Sequence, residues 1–275
     1  MKTILVPIDY SNTAMGAAIY ASELARAISA KIILFHAYHP PLPTTGAEFG
    51  ILPDLDLDKE NEALLETFKR DLLKRAPGNT NIECTVKIGF AVEEIINAVE
   101  EKKPDLIVMG VSGGGMVSEF VMGSNTMGVL RKTAVPMIIV PPRAHFKKIA
   151  TIVFACDYKG EISIKAISEL KKFATLFHAK ICVLNLEKPE EGITFEKAVN
   201  GIQIEGALNT TEHSLHFLPN RNEIASEMND FIDSHDAELL VMIPHKHSLL
   251  HRLFNQSITK HLAFHSHVPI LALHE

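Results

Sequence analysis

The 275-residue sequence has no tryptophan and only three cysteines. Cys84, Cys156 and Cys182 are an odd set with no CxxC spacing, which excludes a disulfide framework or a thiolate zinc site and fits a reducing compartment. No apolar run approaches the roughly 20 residues that cross a bilayer. The opening Ile4-Leu5-Val6 is cut short by Pro7 and Asp9, so neither a membrane span nor a signal peptide is expected and a cytoplasmic protein is. Positive charge is also short, with 27 Lys and Arg against 33 Asp and Glu for a net charge of −6. That balance lacks the basic footprint of a phosphodiester-binding protein, so nucleic acid is not an expected partner. What remains is an ordinary globular composition, 47% hydrophobic and 22% charged, in a length that suits about two domains.

The sequence repeats itself. Thr3-Ile4-Leu5-Val6-Pro7-Ile8-Asp9-Tyr10 returns 148 positions later as Thr151-Ile152-Val153-Phe154-Ala155-Cys156-Asp157-Tyr158, and Ala30-Lys31-Ile32-Ile33-Leu34-Phe35-His36 returns 149 positions later from Ala179 to Asn185. Asp105-Leu106-Ile107-Val108-Met109 and Val135-Pro136-Met137-Ile138-Ile139-Val140 return 133 positions later, at Glu238 to Met242 and Val268 to Leu273. Four matches in one order predict two copies of one domain, the second shortened in its middle.

Within each copy, short runs rich in Ile, Val and Leu read as strands buried on both faces of a parallel sheet. Helical patterns alternate with them over Thr13–Ser29, Asn61–Arg75 and Ala91–Lys102, with Ser11 or Asn12 placed to cap the first. The expected fold class is therefore α/β, two tandem doubly wound parallel-sheet domains over residues 1–142 and 147–275. Pro141-Pro142-Arg143 opens the linker between them. The excursion from His39 to Asp58, with Pro40, Pro41, Pro43, Pro53, Gly46 and Gly50, is a candidate lid.

Ligands of open α/β sheets sit beyond the carboxyl ends of the strands. There, after Met109, the chain reads Gly110-Val111-Ser112-Gly113, then nine residues, then Gly123-Ser124-Asn125-Thr126. Glycine lets backbone approach a phosphate or ribose, and a helix opening at Gly123-Ser124 offers free N–H groups to an anion. Ser124 and Thr126 add hydroxyl donors. The plain alternative is a flexible loop followed by a helix cap.

These residues resemble the Gly-x2-Gly-x9-Gly-(Ser/Thr) signature of the universal stress protein family, carried here by Gly110, Gly113, Gly123 and Ser124. The opening Val6-Pro7-Ile8-Asp9 and closing Val135 to Val140 extend the resemblance over the first copy and, more weakly, the second, so the chain resembles a tandem member. The resemblance implies the adenine-nucleotide alpha-hydrolase-like fold and ATP or AMP as ligand, with Mg or Mn accompanying the phosphates. It implies a nucleoside held by Pro7, Ile8 and Asp9, adenine met by the backbone at Ala37, and ribose and phosphates held by Met109, Gly110, Gly113, Gly123, Ser124, Asn125 and Thr126. Asp9 has an alternative role as a helix cap. The resemblance also implies that the last strands of the two copies pair across a two-fold axis as an intramolecular pseudo-dimer, and a homodimer of whole chains is a further expectation.

The second copy has exchanged glycine for histidine. Residues 1–145 hold 11 Gly and 3 His, the rest 4 Gly and 11 His. At the positions of Gly110, Gly113 and Gly123 stand Ile243, Lys246 and Gln256, whose side chains obstruct a phosphate, so no ATP is expected there. His245, His247, His251, His261 and His265 are candidate metal ligands, the last two one helical turn apart. A solvated basic surface and a side-chain anion site around Lys246 and Arg252 are the other readings.

Two functions follow. One is an adenine-nucleotide-binding stress-response or regulatory protein, with the nucleotide in the first domain and a structural or partner-binding second domain. The alternative is an enzyme, a slow ATPase or a metal-dependent hydrolase using the histidines. Between Asp105 and Gly128 there is no Lys or Arg to neutralise a transferring phosphoryl group, which argues against fast catalysis.

Overall fold

The computed structural model describes residues 1–39, 57–111, 123–142, 144–156, 158, 163–187, 194–219, 224–243 and 268–274. Strands and helices alternate as β1 (Thr3–Pro7), α1 (Asn12–Ile28), β2 (Lys31–Tyr38), α2 (Leu57–Arg75), β3 (Ile82–Ile88), α3 (Ala91–Lys102), β4 (Leu106–Gly110), α4 (Ser124–Lys132) and β5 (Met137–Val140). The second half follows with β6 (Thr151–Ala155), α5 (Ile164–Phe177), β7 (Lys180–Glu187), α6 (Phe195–Leu208), β8 (His213–Pro219), α7 (Ile224–Ser234), β9 (Leu239–Met242) and β10 (Ile270–Ala272).

All ten strands form one sheet in the order β3-β2-β1-β4-β5-β10-β9-β6-β7-β8. Every pair within a half is parallel, and the halves meet where β5 and β10 pair antiparallel, Ile138 opposite Leu271. This is the doubly wound α/β class expected from the sequence. Alternate residues of each strand enter opposite faces. Ile4, Val6, Ile32 and Leu34 join α1 and α2 in one core, whereas Leu5, Ile33 and Phe35 join α3 and α4 in the other. The seam follows the same rule, Ile138 and Leu271 entering the first core, Ile139 and Ile270 the second. At about 1.5–3 kcal/mol for each large apolar side chain buried, both faces hold the seam closed.

The halves repeat in backbone detail. The non-glycine residues with positive φ are Tyr10 and Tyr158, Ser29 and His178, Lys103 and Asp236, three pairs at the spacings of the sequence repeat. Ser29, Lys103 and His178 are left-handed helix C-caps. α1 begins at Asn12 with Ser11 as its cap, its hydroxyl accepting from the Ala14 N–H at 3.1 Å. α2 begins at Leu57, four residues before its apolar periodicity, because its first turn is acidic, with Asp58 and Glu60 at the positive end of the helix. The lid candidate lies outside the described residues, apart from His39, Leu57 and Asp58.

One carboxylate in each half clamps the start of its central strand. Asp105 Oδ2 accepts from the N–H groups of Lys2 and Thr3 at 2.7 and 2.9 Å, and Glu238 Oε2 from those of Ala150 and Thr151, both at 2.9 Å. Partial burial pushes the Asp105 pKa up, but these two N–H bonds and the neighbouring positive charges outweigh it and hold the group below the usual carboxylate range. The clamp's contribution is therefore complete above about pH 4 and disappears as pH falls through the lowered value. Asp105→Ala is expected to lower stability by about 0.5–1 kcal/mol near pH 7, a small value because the carboxylate is exposed. In urea titrations the gap between variant and parent should close toward pH 3; a gap of constant size would contradict the clamp.

Candidate functional site

β1 and β2 run in parallel until Pro7 pairs with Phe35. Beyond that point the Ile8 N–H donates to the Phe35 carbonyl at 2.8 Å, and the chain then turns away through Tyr10, whose φ of 61° is uncommon for an aromatic residue. Several contacts support the turn. Asp9 Oδ1 accepts from the Ser11 N–H at 3.0 Å and from its hydroxyl. The His36 ring puts Nδ1 2.8 Å from the Ile8 carbonyl, an acceptor that fixes the proton on Nδ1. Tyr10 packs against His36 and Phe68 with ring centroids 4.5 and 6.0 Å away. Burial, and secondarily Cys84, raises the Tyr10 phenol to about 12, so it stays neutral.

β2 continues to Tyr38. In a parallel strand, N–H and C=O of one residue point to the same side, and successive residues alternate. Lys31 and Phe35 use theirs toward β1, and Ile32 and Tyr38 toward β3. By this parity the N–H and C=O of Ala37 face the space that β1 has left. Among the described residues no backbone group bonds to them, which leaves a donor and acceptor pair at the end of the sheet.

The opposite wall is the end of β4 and the start of α4. A Cβ on Gly110 would lie 2.5 Å from the Thr13 carbonyl oxygen and 2.8 Å from its carbon. Glycine is thus required here by the first turn of α1. The fully buried Thr126 donates its hydroxyl to the Gly110 carbonyl at 3.1 Å, so this hydroxyl ties α4 to β4 and is spent within the fold. Gly123 caps α4 with no side-chain hydrogen bond, and the first turn has no acidic residue. The N–H groups of Ser124, Asn125 and Thr126 have no acceptor within the helix, and they carry its positive end.

Between these walls lies an open cleft at the carboxyl ends of β1, β2 and β4, the place where open α/β sheets take their ligands. The β1 end supplies Pro7, Ile8 and Asp9, the β2 end Phe35, His36 and Ala37, and the β4 end Met109 and Gly110. The helices add Ser11, Thr13 and Ala14 from α1, Ala91 and Ile95 from α3, and Asn125 and Thr126 from α4. Asp9 and His36 are the ionisable residues among them, and no Lys or Arg is present among the described lining residues.

Eight sequence candidates are thereby gathered in one place, Pro7, Ile8, Asp9, Ala37, Met109, Gly110, Asn125 and Thr126, with Gly123 and Ser124 at the α4 start beside them. Asp9 braces Ser11, and Ser11 is the cap. Gly113, His245, His247, His251, His261 and His265 lie outside the described residues. Among the described residues, no group of three His, Cys, Asp or Glu is placed to hold a metal. Sequence reasoning passed over Ser11, Thr13, Phe35, His36, Ala91 and Ile95 as lining residues. The signal for His36 was available, since it stands one residue before Ala37 in the matched strand.

The second half keeps the turn and buries its tyrosine. Asn185 replaces His36 and donates Nδ2 to the Cys156 carbonyl at 2.9 Å. Tyr158 has the φ of Tyr10, 51°, but is 1% exposed against 37%. It stacks on Phe217 at 5.7 Å, and its carbonyl accepts from Asn200 of α6 at 2.9 Å.

An open cleft beyond the carboxyl ends of the strands, at the reversal of strand order, places the chain in the doubly wound α/β class, whose ligand sites lie at this point. The chain belongs to the universal stress protein family, whose sequence model matches residues 1–141. A universal stress protein of Mycobacterium tuberculosis H37Rv is 31% identical over 141 residues, 50% of this chain and 95% of its own. A universal stress protein structure from Archaeoglobus fulgidus DSM 4304 covers 99% of this chain and 98% of its own, with a TM-score of 0.72 at 17% identity. A universal stress protein solved in complex with cAMP is 27% identical, covering 51% of this chain and 97% of its own, with a TM-score of 0.39.

Gly110→Ala is expected to destabilise the protein by about 1–3 kcal/mol, because the obstructing atoms are backbone and the α1 start must shift. Urea midpoints at constant slope measure this; a variant as stable as the parent would show that Thr13 does not crowd the position.

Proposed function

We propose that the first half binds an adenine nucleotide, ATP or AMP, in this cleft, and that the chain acts as a nucleotide-binding regulatory or stress-response protein. The observation that carries the reading is the N–H and C=O of Ala37, unbonded among the described residues, facing the start of α4 across a single cleft. Adenine offers along one edge a ring nitrogen that accepts and an amino group that donates, the complement of one backbone N–H and C=O. The apolar surfaces of Ile8, Met109 and Ile95 suit the base, and Asp9 suits ribose hydroxyls. The free N–H groups of Ser124 and Asn125 suit phosphate. With no lysine or arginine among the described lining residues, a triphosphate is best accommodated with Mg²⁺ or Mn²⁺, to which the phosphates supply most of the oxygens.

The second half, where Tyr158 is buried at the corresponding turn, serves as structural partner and interaction surface. The antiparallel pairing of β5 with β10 supports reading the two halves as an intramolecular dimer. The same charge-poor cleft favours binding over fast phosphoryl transfer, for which a positioned base and neutralising cations are needed.

Equilibrium dialysis of the purified chain with ATP and with AMP, with and without Mg²⁺, tests the reading. Stoichiometric binding is expected, with ATP gaining more from Mg²⁺ than AMP. Asp9→Ala is expected to weaken both nucleotides about tenfold, the loss of one charge-assisted hydrogen bond, and Gly123→Val to weaken ATP more than AMP. Unchanged binding of both nucleotides in both variants would place the ligand elsewhere.

A further inference from the structure

The two halves fasten the helix that follows their edge strand differently. In the first half, α3 ends on an ion pair with β3, Lys102 Nζ lying 3.2 Å from Glu83 Oε1. β2 pairs Ile33 with Glu83, and β7 pairs Cys182 with Ser214, so Ser214 holds the place of Glu83 and His216 that of Thr85. The left-handed residues Lys103 and Asp236 follow α3 and α7, so His235 holds the place of Lys102. An ion pair whose charges are fixed between about pH 5 and pH 8 is thus exchanged for a contact that includes two imidazoles.

The His216 and His235 rings stand 5.0 Å apart and nearly perpendicular. The buried Phe231 joins them into one cluster, stacked on His235 at 3.9 Å and edge-on to His216 at 4.9 Å. As neutral rings both are satisfied. His235 Nδ1 lies 3.0 Å from the Phe231 carbonyl, an acceptor that fixes the proton on Nδ1, and His216 Nε2 lies 2.7 Å from the Ser214 hydroxyl. A further proton on His216 is disfavoured by burial first, then by His235, then by Lys180 of β7, which together hold the ring below the ordinary histidine value. The other titratable groups on the packed elements do not offset this. On β7, the Cys182 sulfur accepts from the Ser214 hydroxyl at 3.7 Å. On α7, Glu227 lies two turns, about 12 Å, along the helix, Asp230 is exposed, and Asp233 and Asp236 open on a groove lined by His145 and Lys147. On β8 itself, His213 alternates to the other face, and the exposed Glu212 precedes the strand.

We propose that His216 and His235 form an acid-released latch, which holds the end of α7 against the edge strand β8 while both rings are neutral and parts it when both are protonated. Two like charges at this separation stand where Lys102 and Glu83 attract each other in the first half. Because the folded state disfavours a charged His216, the latch is complete above the ordinary histidine value, about pH 6.5, and is lost as pH falls through the lowered one. Its release uncovers Met228, Phe231 and Ile232, all buried while it is closed, so acidification presents an apolar surface on the second half. The inference is independent of the nucleotide reading, since both histidines lie outside the first half and its cleft.

Hydrogen exchange of the full chain tests the latch, read by mass spectrometry at about pH 7.5 and about pH 5.5 and corrected for the intrinsic pH dependence of the rate. Peptides from α7 are expected to lose protection at least tenfold at the lower pH, while those from α3, closed by its ion pair, keep theirs within about twofold. His216→Gln and His235→Gln, which cannot take the charge, should each hold α7 protection within about twofold between the two conditions. Ser214→Glu combined with His235→Lys rebuilds the ion pair of the first half and should do the same. Equal protection of α7 at both pH values in the parent chain overturns the proposal. So does a loss shared equally by α3 and α7, which marks global unfolding, or a loss that persists in the glutamine variants. If those variants fail to fold, the Ser214→Glu, His235→Lys chain decides, and an undiminished loss of α7 protection in it overturns the latch.

Discussion

The cleft of the first half exists because two parallel neighbours differ in length. β1 ends at Pro7 and β2 runs on to Tyr38, so the last backbone groups of β2 face space where a strand would otherwise satisfy them. Buried backbone polar groups are almost always paired, and here the pairing is left to water or a ligand. The turn that takes β1 away must be held firmly for this edge to persist. Three contacts hold it: the His36 imidazole on the Ile8 carbonyl, Asp9 on Ser11, and the aromatic packing of Tyr10. Gly110 and Thr126 fix the facing wall with equal economy, one by admitting the Thr13 carbonyl and the other by bonding to the Gly110 carbonyl. The binding surface is mostly backbone, and the side chains around it act chiefly as props.

The second half repeats the same frame with a different treatment of its turn. Its strands, crossovers and left-handed residues repeat those of the first half, including the N–H of Cys156 on the carbonyl of Leu184 at 2.9 Å where Ile8 meets Phe35. What differs is the treatment of one tyrosine. In the first half Tyr10 lies at the rim beside α2, while in the second Tyr158 is drawn under α6, where Asn200 takes its carbonyl and Phe217 its ring. The inner side of α6 then carries Lys197 and Asn200 beside the fully buried Ile204 and Leu208, while Phe195 and Ile202 stay outside.

The sequence was most legible where strand pairing is enforced by burial on both faces. The runs at Ile4, Ile32, Leu106 and Met137 and their repeats name nearly all of the inner strands, because a parallel strand covered on both sides has no room for alternation. The glycine spacing located the β4 end and the α4 start. It did not show the packing roles of two of those residues, since the crowding of Gly110 by Thr13 and the bond from Thr126 to Gly110 depend on how α1 and α4 lie on the sheet. Tertiary geometry of this kind leaves no periodic trace. The same holds for Ala91 and Ile95, which enter the cleft because the α3 start is carried to the sheet end by the turn at Gly89. Its φ of 149° and the Glu94 side chain 2.7 Å from its missing Cβ make glycine necessary there.

The seam between β5 and β10 sets the geometry of the whole chain. Because that pair is antiparallel while every other pair is parallel, the carboxyl ends of the two half-sheets point in opposite directions. The first cleft and the corresponding turn of the second half are therefore at opposite ends of the strands. The halves meet along the seam, where Ile138 and Leu271 share one core and Ile139 and Ile270 the other, and again where Phe146 packs on Tyr20 of α1. Cores packed on both faces of a strand pair resist sliding, since a shift of one residue would exchange every side chain between faces.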